Sequence, residues 1–226
     1  MRYSFRVLAS EYAALLAAMR INPGKVHPLM ARAGQILDLA HSHRDEWAEV
    51  EGRTGVPRLW GIAIFEREAA SDYRRSPAQG DRWDRVSTHV PKGRGPYPCW
   101  ADACIDAWRL DHLDAVGRPC WTWTRACYEA EAYNGFGPRA HGRRSGYLWS
   151  WTSIYDGGKY TRDGRWSPQA IDRQCGVAPL MQALLGLDGT LALADASPAP
   201  AAGRVPARRR AQDLHDGEPA FRKSPY

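Results

Sequence analysis

Apolar side chains that return every three or four positions in several segments, one segment apolar on nearly every side, and Gly/Pro-rich breaks between them point to a mainly α-helical domain. Small irregular and β insertions are expected within it. A chain of 226 residues is long enough for one domain with appendages and a sizeable core. The folded domain is expected over 1–194 and a disordered tail over 195–226.

The first helix is predicted over 10–19, with Ser10 as its cap and Tyr12, Leu15, Leu16 and Met19 on one stripe. Asn22-Pro23-Gly24 ends it. A second spans 28–43 on Leu29, Ile36, Leu37, Leu39 and Ala40, with an acidic continuation towards Glu51, before Gly52, Gly55 and Pro57 interrupt. Over 58–70 the residues Leu59, Trp60, Ile62, Ala63, Ile64 and Phe65 leave almost no polar side, the pattern of a central helix surrounded by protein. Helical periodicity is lost over 71–98, where Gly80, Pro91, Gly93, Gly95, Pro96 and Pro98 indicate loops, with short strands expected around 85–90. Helices return over 100–113 and 121–133. A Gly-rich aromatic region covers 134–166 with a turn at Asp156-Gly157-Gly158, and a last helix is predicted over 167–185, Pro168 being tolerated in its first turn. After about Asp195 the composition turns to Ala, Pro and Arg, including Arg208-Arg209-Arg210, which suits a disordered tail.

With 31 basic and 25 acidic residues the formal charge is +6, which favours anionic polymers such as a cell wall or nucleic acid without choosing among them. No nucleic-acid fold signature accompanies the charge, so no specific nucleic-acid partner is expected. The apolar runs fall far short of a membrane span. Cys99, Cys104, Cys120, Cys127 and Cys175 are odd in number and lack the short pair spacings of a zinc site, so they read as small buried thiols in a reducing compartment, with no metal and no organic cofactor. Ten Trp and ten Tyr against four Phe suggest flat surfaces that also hydrogen-bond, as sugars and bases require.

Glu68 follows Ile64 by four residues and Phe65 by three, so its carboxylate leaves a helix face that is otherwise apolar. Desolvation and the negative end of the helix dipole both disfavour its charged form, which suits a general acid for glycosidic cleavage. The structural alternative is a carboxylate paired with Arg67, Arg74 or Arg75. Glu66, about 200° around the helix, reads as structural. Asp72, Asp81 and Asp84 could supply a second carboxylate, and Asp81, in a turn after Gly80, is the best placed; a turn-forming role is its alternative.

Tyr133-Asn134-Gly135 follows directly on a helix, where Tyr133 and Asn134 could address one polar target and Gly135 allows close backbone approach; a plain helix stop explains the same residues. Among the aromatics crowded downstream, Trp149, Tyr155 and Tyr160, with Lys159, are candidates for a groove that stacks pyranose rings, although some must be core.

The segment from Phe65-Glu66-Arg67-Glu68 to Tyr73, then Gly80-Asp81 and Thr88-His89-Val90-Pro91-Lys92-Gly93-Arg94, resembles the phage and prophage lysozyme-like proteins of the endolysin type. Those carry a helix-end His-Glu-x-Glu motif, a Gly-Asp turn and a Val-Pro-x-Gly-Arg loop. Tyr133-Asn134-Gly135-Phe136-Gly137, Tyr147-Leu148-Trp149-Ser150, Gly158-Lys159-Tyr160, Trp166-Ser167-Pro168 and Gln174-Cys175-Gly176 continue the likeness in order. More distantly, the Glu68 segment and Tyr133-Asn134 are similar to motifs of lytic transglycosylases and goose-type lysozymes. The resemblance implies a lysozyme-like helical fold with a central catalytic-Glu helix. It also implies cleavage of the β-1,4 bond between N-acetylmuramic acid and N-acetylglucosamine in peptidoglycan. Glu68 then matches the general acid, and Tyr133 and Asn134 the motif bordering it.

Phe65 stands where that family often has His, and Ala69 where a small polar residue usually follows the acid. These departures motivate a second reading, a catalytically silent wall-sugar-binding or phage structural module. A monomer is expected, made in the cytoplasm without a signal peptide. It would reach the wall through a holin or within a phage particle.

Overall fold

The computed structural model describes residues 3–78, 80–162 and 164–195 and is mainly helical. In chain order the helices are α1 (Phe5–Ala18), α2 (Val26–Ser42), α3 (Arg44–Thr54), α4 (Arg58–Ala69), α5 (Trp100–Leu110) and α6 (Trp123–Asn134). The one-turn α7 (Gly137–Ala140) and α8 (Gly146–Trp149), a hairpin of β1 (Lys159–Arg162) and β2 (Arg165–Ser167), and α9 (Val177–Leu187) complete the described chain. The hairpin is antiparallel, with Lys159 opposite Ser167 and Tyr160 opposite Trp166.

Helix α4 is the axis of the core, with Leu59, Trp60 and Ile62 to Phe65 all buried. α9 covers one side of it, while α2 and α3 pack elsewhere along it, so an apolar helix with no polar side finds protein all round. Gly61 allows the closest approach: a Cβ there would lie 2.8 Å from Trp47 Cζ3. α1 buries Leu8, Tyr12 and Leu16 and packs on α6, and α5 packs on α3.

Several boundaries differ from the sequence-based expectation. α1 begins at Phe5 with Ser4 at its cap, so Ser10 lies inside the helix. The acidic continuation of the second helix is the separate helix α3, set off by a break at His43, whose ring stacks on Tyr73 at 3.7 Å. The strands expected around 85–90 are absent, because the N–H groups of Thr88 and His89 bond the Asp81 carboxylate instead of a neighbouring strand. The last helix starts at Val177, not at Ser167, and its first-turn proline is Pro179. The stretch before it spends its polar groups on tertiary contacts: Gly176 N–H donates to Ser150 O, and Asp172 binds Arg67. The predicted tail lies outside the described residues from 196 onwards.

Tryptophan is used mainly inside. Trp47, Trp60, Trp108, Trp121, Trp123 and Trp149 are all fully buried, which corrects the reading of the Trp excess as sugar-facing surface. All five cysteines are free; Cys104, Cys127 and Cys175 are buried, Cys99 is half-buried and Cys120 is exposed.

Candidate active site

Helix α4 ends abruptly one residue after Glu68. Ala70 and Ser71 adopt left-handed φ of 52° and 57°, a conformation unfavourable for side-chain-bearing residues. Glu66 secures that exit: it takes Arg32 in a two-pronged pair at 2.8 and 2.7 Å and accepts the Ser71 hydroxyl at 2.8 Å. Its structural reading therefore stands.

Glu68, half-buried, points the other way. Its Oε1 accepts the Tyr147 hydroxyl at 2.6 Å, and Tyr147 is supplied by the one-turn helix α8 with only 6% of its surface exposed. Burial pushes the Glu68 carboxyl above its ordinary value; Tyr147 and the Arg67 charge oppose the shift, and the Asp111 carboxylate reinforces it. The direction matches the desolvation argument made from sequence. The alternative, direct pairing with arginine, is not adopted. Arg67 turns to Asp172 (2.8 Å) and the Cys175 carbonyl (3.1 Å), while Arg74 and Arg75 both bind Asp72.

Arg67 and Asp172 form a buried ion pair, 5% and 7% exposed. The Arg67 guanidinium lies 4.7 Å from the Tyr147 ring centre, joining the pair to the tyrosine that holds Glu68. Two groups singled out in the sequence attach here rather than to an open groove. The Tyr155 hydroxyl accepts the Asp172 N–H at 3.0 Å, and the Lys159 ammonium lies 3.6 Å from Asp172 Oδ1.

Tyr133 lies close enough to Glu68 to feel its charge. Its hydroxyl donates to Pro77 O at 2.9 Å, its ring meets Trp60 and Trp108 edge-on, and burial raises its phenol, with Glu68 and Asp111 adding to the effect. Asn134 is the exposed last residue of α6, and Gly135 takes a φ of 87° that a side chain would strain. Tyr160 lies apart, its hydroxyl 3.1 Å from His141 Nε2 and its ring edge-on to Trp166. Trp149 is fully buried, so it is a core residue rather than a groove wall.

Asp81 organises its loop. It accepts the N–H groups of Thr88 and His89 at 2.8 and 2.9 Å and meets His89 Nδ1 at 2.6 Å, contacts that bring its carboxyl down to about 2. The carboxylate that does act on Glu68 is Asp111, which directly follows α5 and which no described residue hydrogen-bonds. Asp111 is exposed at the surface, yet desolvation by the surrounding chain pushes its carboxyl up, opposed by His112. Sequence reading missed Asp111, Asp172 and the role of Tyr147, because they lie 43, 104 and 79 residues from Glu68 with no periodicity to connect them.

A cavity of about 590 Å3 lies between α1 and the segment after α7, lined by Leu8, Glu11, Arg139, Arg143, Arg144 and their neighbours, and Glu68 is not part of its wall. Its charges are paired internally: Arg139 and Arg144 both hold Glu11, and Arg143 holds Asp156. Among the described residues no group of three or more His, Cys, Asp or Glu side chains could hold a metal ion, and no helix is long and apolar enough to cross a membrane. In comparisons with known proteins, no protein-family model, curated protein or solved structure matches the chain.

Proposed function

We propose that the protein is a peptidoglycan glycosidase in which Glu68 is the general acid. The observation that carries this reading is a carboxyl at the end of an apolar helix, raised by burial and tethered on one oxygen by Tyr147. A carboxyl raised in this way keeps its proton at higher pH and gives it up when a basic oxygen arrives. In the proposed reaction Glu68 protonates the glycosidic oxygen as the bond to muramic acid C1 breaks. Attack on C1 by water then yields a reducing sugar, whereas attack by the sugar's own 6-hydroxyl yields an anhydro product. The net charge of +6 favours an anionic wall as the surface on which it works. Delivery by a holin or within a phage particle belongs to the same proposal.

The test is mass spectrometry of purified peptidoglycan after digestion by wild type and by Glu68→Gln. Muropeptides from wild type alone support the reading, and the terminus identifies the attacking oxygen. Equal release by both proteins, or release by neither, refutes it.

A further inference from the structure

Tyr147 donates to Oε1 of Glu68 at 2.6 Å, while no described residue hydrogen-bonds Oε2. We infer that Tyr147, held by the buried Arg67–Asp172 pair, is a positioning residue that reserves Oε1 of Glu68 and leaves the acid proton to Oε2, the oxygen free to meet a substrate. The inference deepens the reading of Glu68 as an acid and rests on it.

A protonated carboxyl has one carbonyl oxygen and one hydroxyl oxygen, and a phenol that donates to Oε1 makes Oε1 the carbonyl. The reverse arrangement would have Glu68 donate to the phenol, whose own hydrogen would then need another acceptor. Among the described residues Tyr147 Oη bonds Glu68 alone. The phenol also keeps its hydrogen, because burial and the neighbouring Glu68 raise it well above its ordinary value.

The support behind Tyr147 is rigid. Gly146 lets the α8 turn come against Asp172 and Tyr155: a Cβ on Gly146 would lie 2.8 Å from Asp172 Cβ and 2.9 Å from Tyr155 Cζ. Asp172 is fixed by the Gln174 N–H at 3.1 Å and by Arg67, whose other terminal nitrogen holds the Cys175 carbonyl. The tyrosine ring therefore lies against a guanidinium that has its own two anchors. The charged and titratable groups that face Glu68 are Tyr147 from α8, Arg67 from its own helix, Asp111 after α5 and Tyr133 from α6.

The experiment follows the Glu68 carboxyl carbon by NMR in protein carrying 13C-labelled glutamate, with Glu68→Gln assigning the signal. Turnover of soluble peptidoglycan fragments is measured alongside. Tyr147→Phe keeps the ring and removes only the hydroxyl, so folding is preserved. Losing a donor to the ionised carboxylate should raise the Glu68 midpoint by about one pH unit, roughly tenfold in proton affinity. In turnover, kcat should fall with KM unchanged, and the basic limb of the profile should move to higher pH. Asp172→Asn leaves the Arg67 charge unneutralised beside Glu68 and should lower the midpoint, opposite in sign to Tyr147→Phe. An unmoved midpoint with unchanged kcat in Tyr147→Phe overturns the inference and leaves Glu68 as the acid. A shifted midpoint in a protein that never cleaves the wall overturns the glycosidase reading instead, with the placement of the proton intact.

Discussion

Replacing Arg67 with Met removes one half of a nearly dry ion pair and leaves the other half in place. Asp172 is 7% exposed and loses two things at once: a 2.8 Å charge-assisted bond and the buried cation that faces it. Stranding one partner of such a pair costs about 3–5 kcal/mol. Asp172 keeps the Gln174 N–H at 3.1 Å and the Lys159 ammonium at 3.6 Å, the latter 38% exposed and so partly spent on water. These residual contacts place the expected loss near the lower end, about 3 kcal/mol at pH 7. The pH dependence tests the cause. In wild type, burial raises the Asp172 carboxyl, but Arg67, with help from Lys159 and the Gln174 N–H, outweighs it and the net position is below the ordinary value. Its contribution is therefore present above the unfolded value of about 3.9 and is lost as pH falls through the lower folded value. In the variant burial is opposed only by Lys159 and the Gln174 N–H, so the folded value should rise above the unfolded one, the penalty being full at neutral pH and fading on acidification. Urea unfolding followed by tryptophan fluorescence from pH 7 to pH 4 should show the gap between the two proteins closing. Arg67→Met combined with Asp172→Asn should recover most of the loss at pH 7. A gap below about 1 kcal/mol at pH 7, the size of a surface pair, would refute this argument. So would a gap that stays constant down to pH 4.

Asp111→Asn removes the like charge that helps keep Glu68 protonated, so the Glu68 midpoint should fall and the basic limb of turnover should move to lower pH, opposite in sign to Tyr147→Phe. Phe65→His should lower stability by about 2–4 kcal/mol in urea titration, by burying an unpartnered imidazole and losing apolar contact. Phe65 is 1% exposed and packs among Trp47, Tyr73 and Trp100, with ring centres 6.2, 4.9 and 5.0 Å away.

That aromatic box explains why an apolar ring stands at position 65. The position faces the core side of α4, where rings from α3, α5 and the following loop close around it, so an apolar ring is what the site accommodates. Glu68 lies three residues on and points away from the box towards Tyr147. Local pattern carried the sequence reading this far: an apolar helix was legible because burial on every side leaves a continuous run, and Glu68 stood out as the carboxylate that interrupts it. The same logic failed over 167–176, where Pro168, Ala170 and Ile171 mimic a helix start but the polar groups around them answer to residues far away in sequence. Asp172 is taken by Arg67, and Gly176 fits against the Leu148 backbone, where a Cβ would come within 2.5 Å of Leu148 O. Trp149 failed for a related reason, since a tryptophan has the same composition signal whether it floors a groove or fills a core.

What was least legible is what sets the chemistry. In the proposed mechanism the acid needs its proton on the oxygen that faces the substrate, and that choice is proposed to rest on a phenol from one short turn, a guanidinium from the helix of Glu68 and a carboxylate from the irregular stretch before α9. Only Arg67 stands in the same segment as Glu68; Tyr147 and Asp172 reach it because α4 is central and α8 and the segment before α9 close over its end. Tyr155 and Lys159, read from sequence as groove residues, converge on the same residue, the Tyr155 hydroxyl accepting the Asp172 backbone N–H and the Lys159 ammonium lying near its carboxylate. Their substitution should therefore reach Glu68 through Asp172, which would appear in the Glu68 midpoint, whereas residues that contact the glycan directly would change KM and leave that midpoint in place.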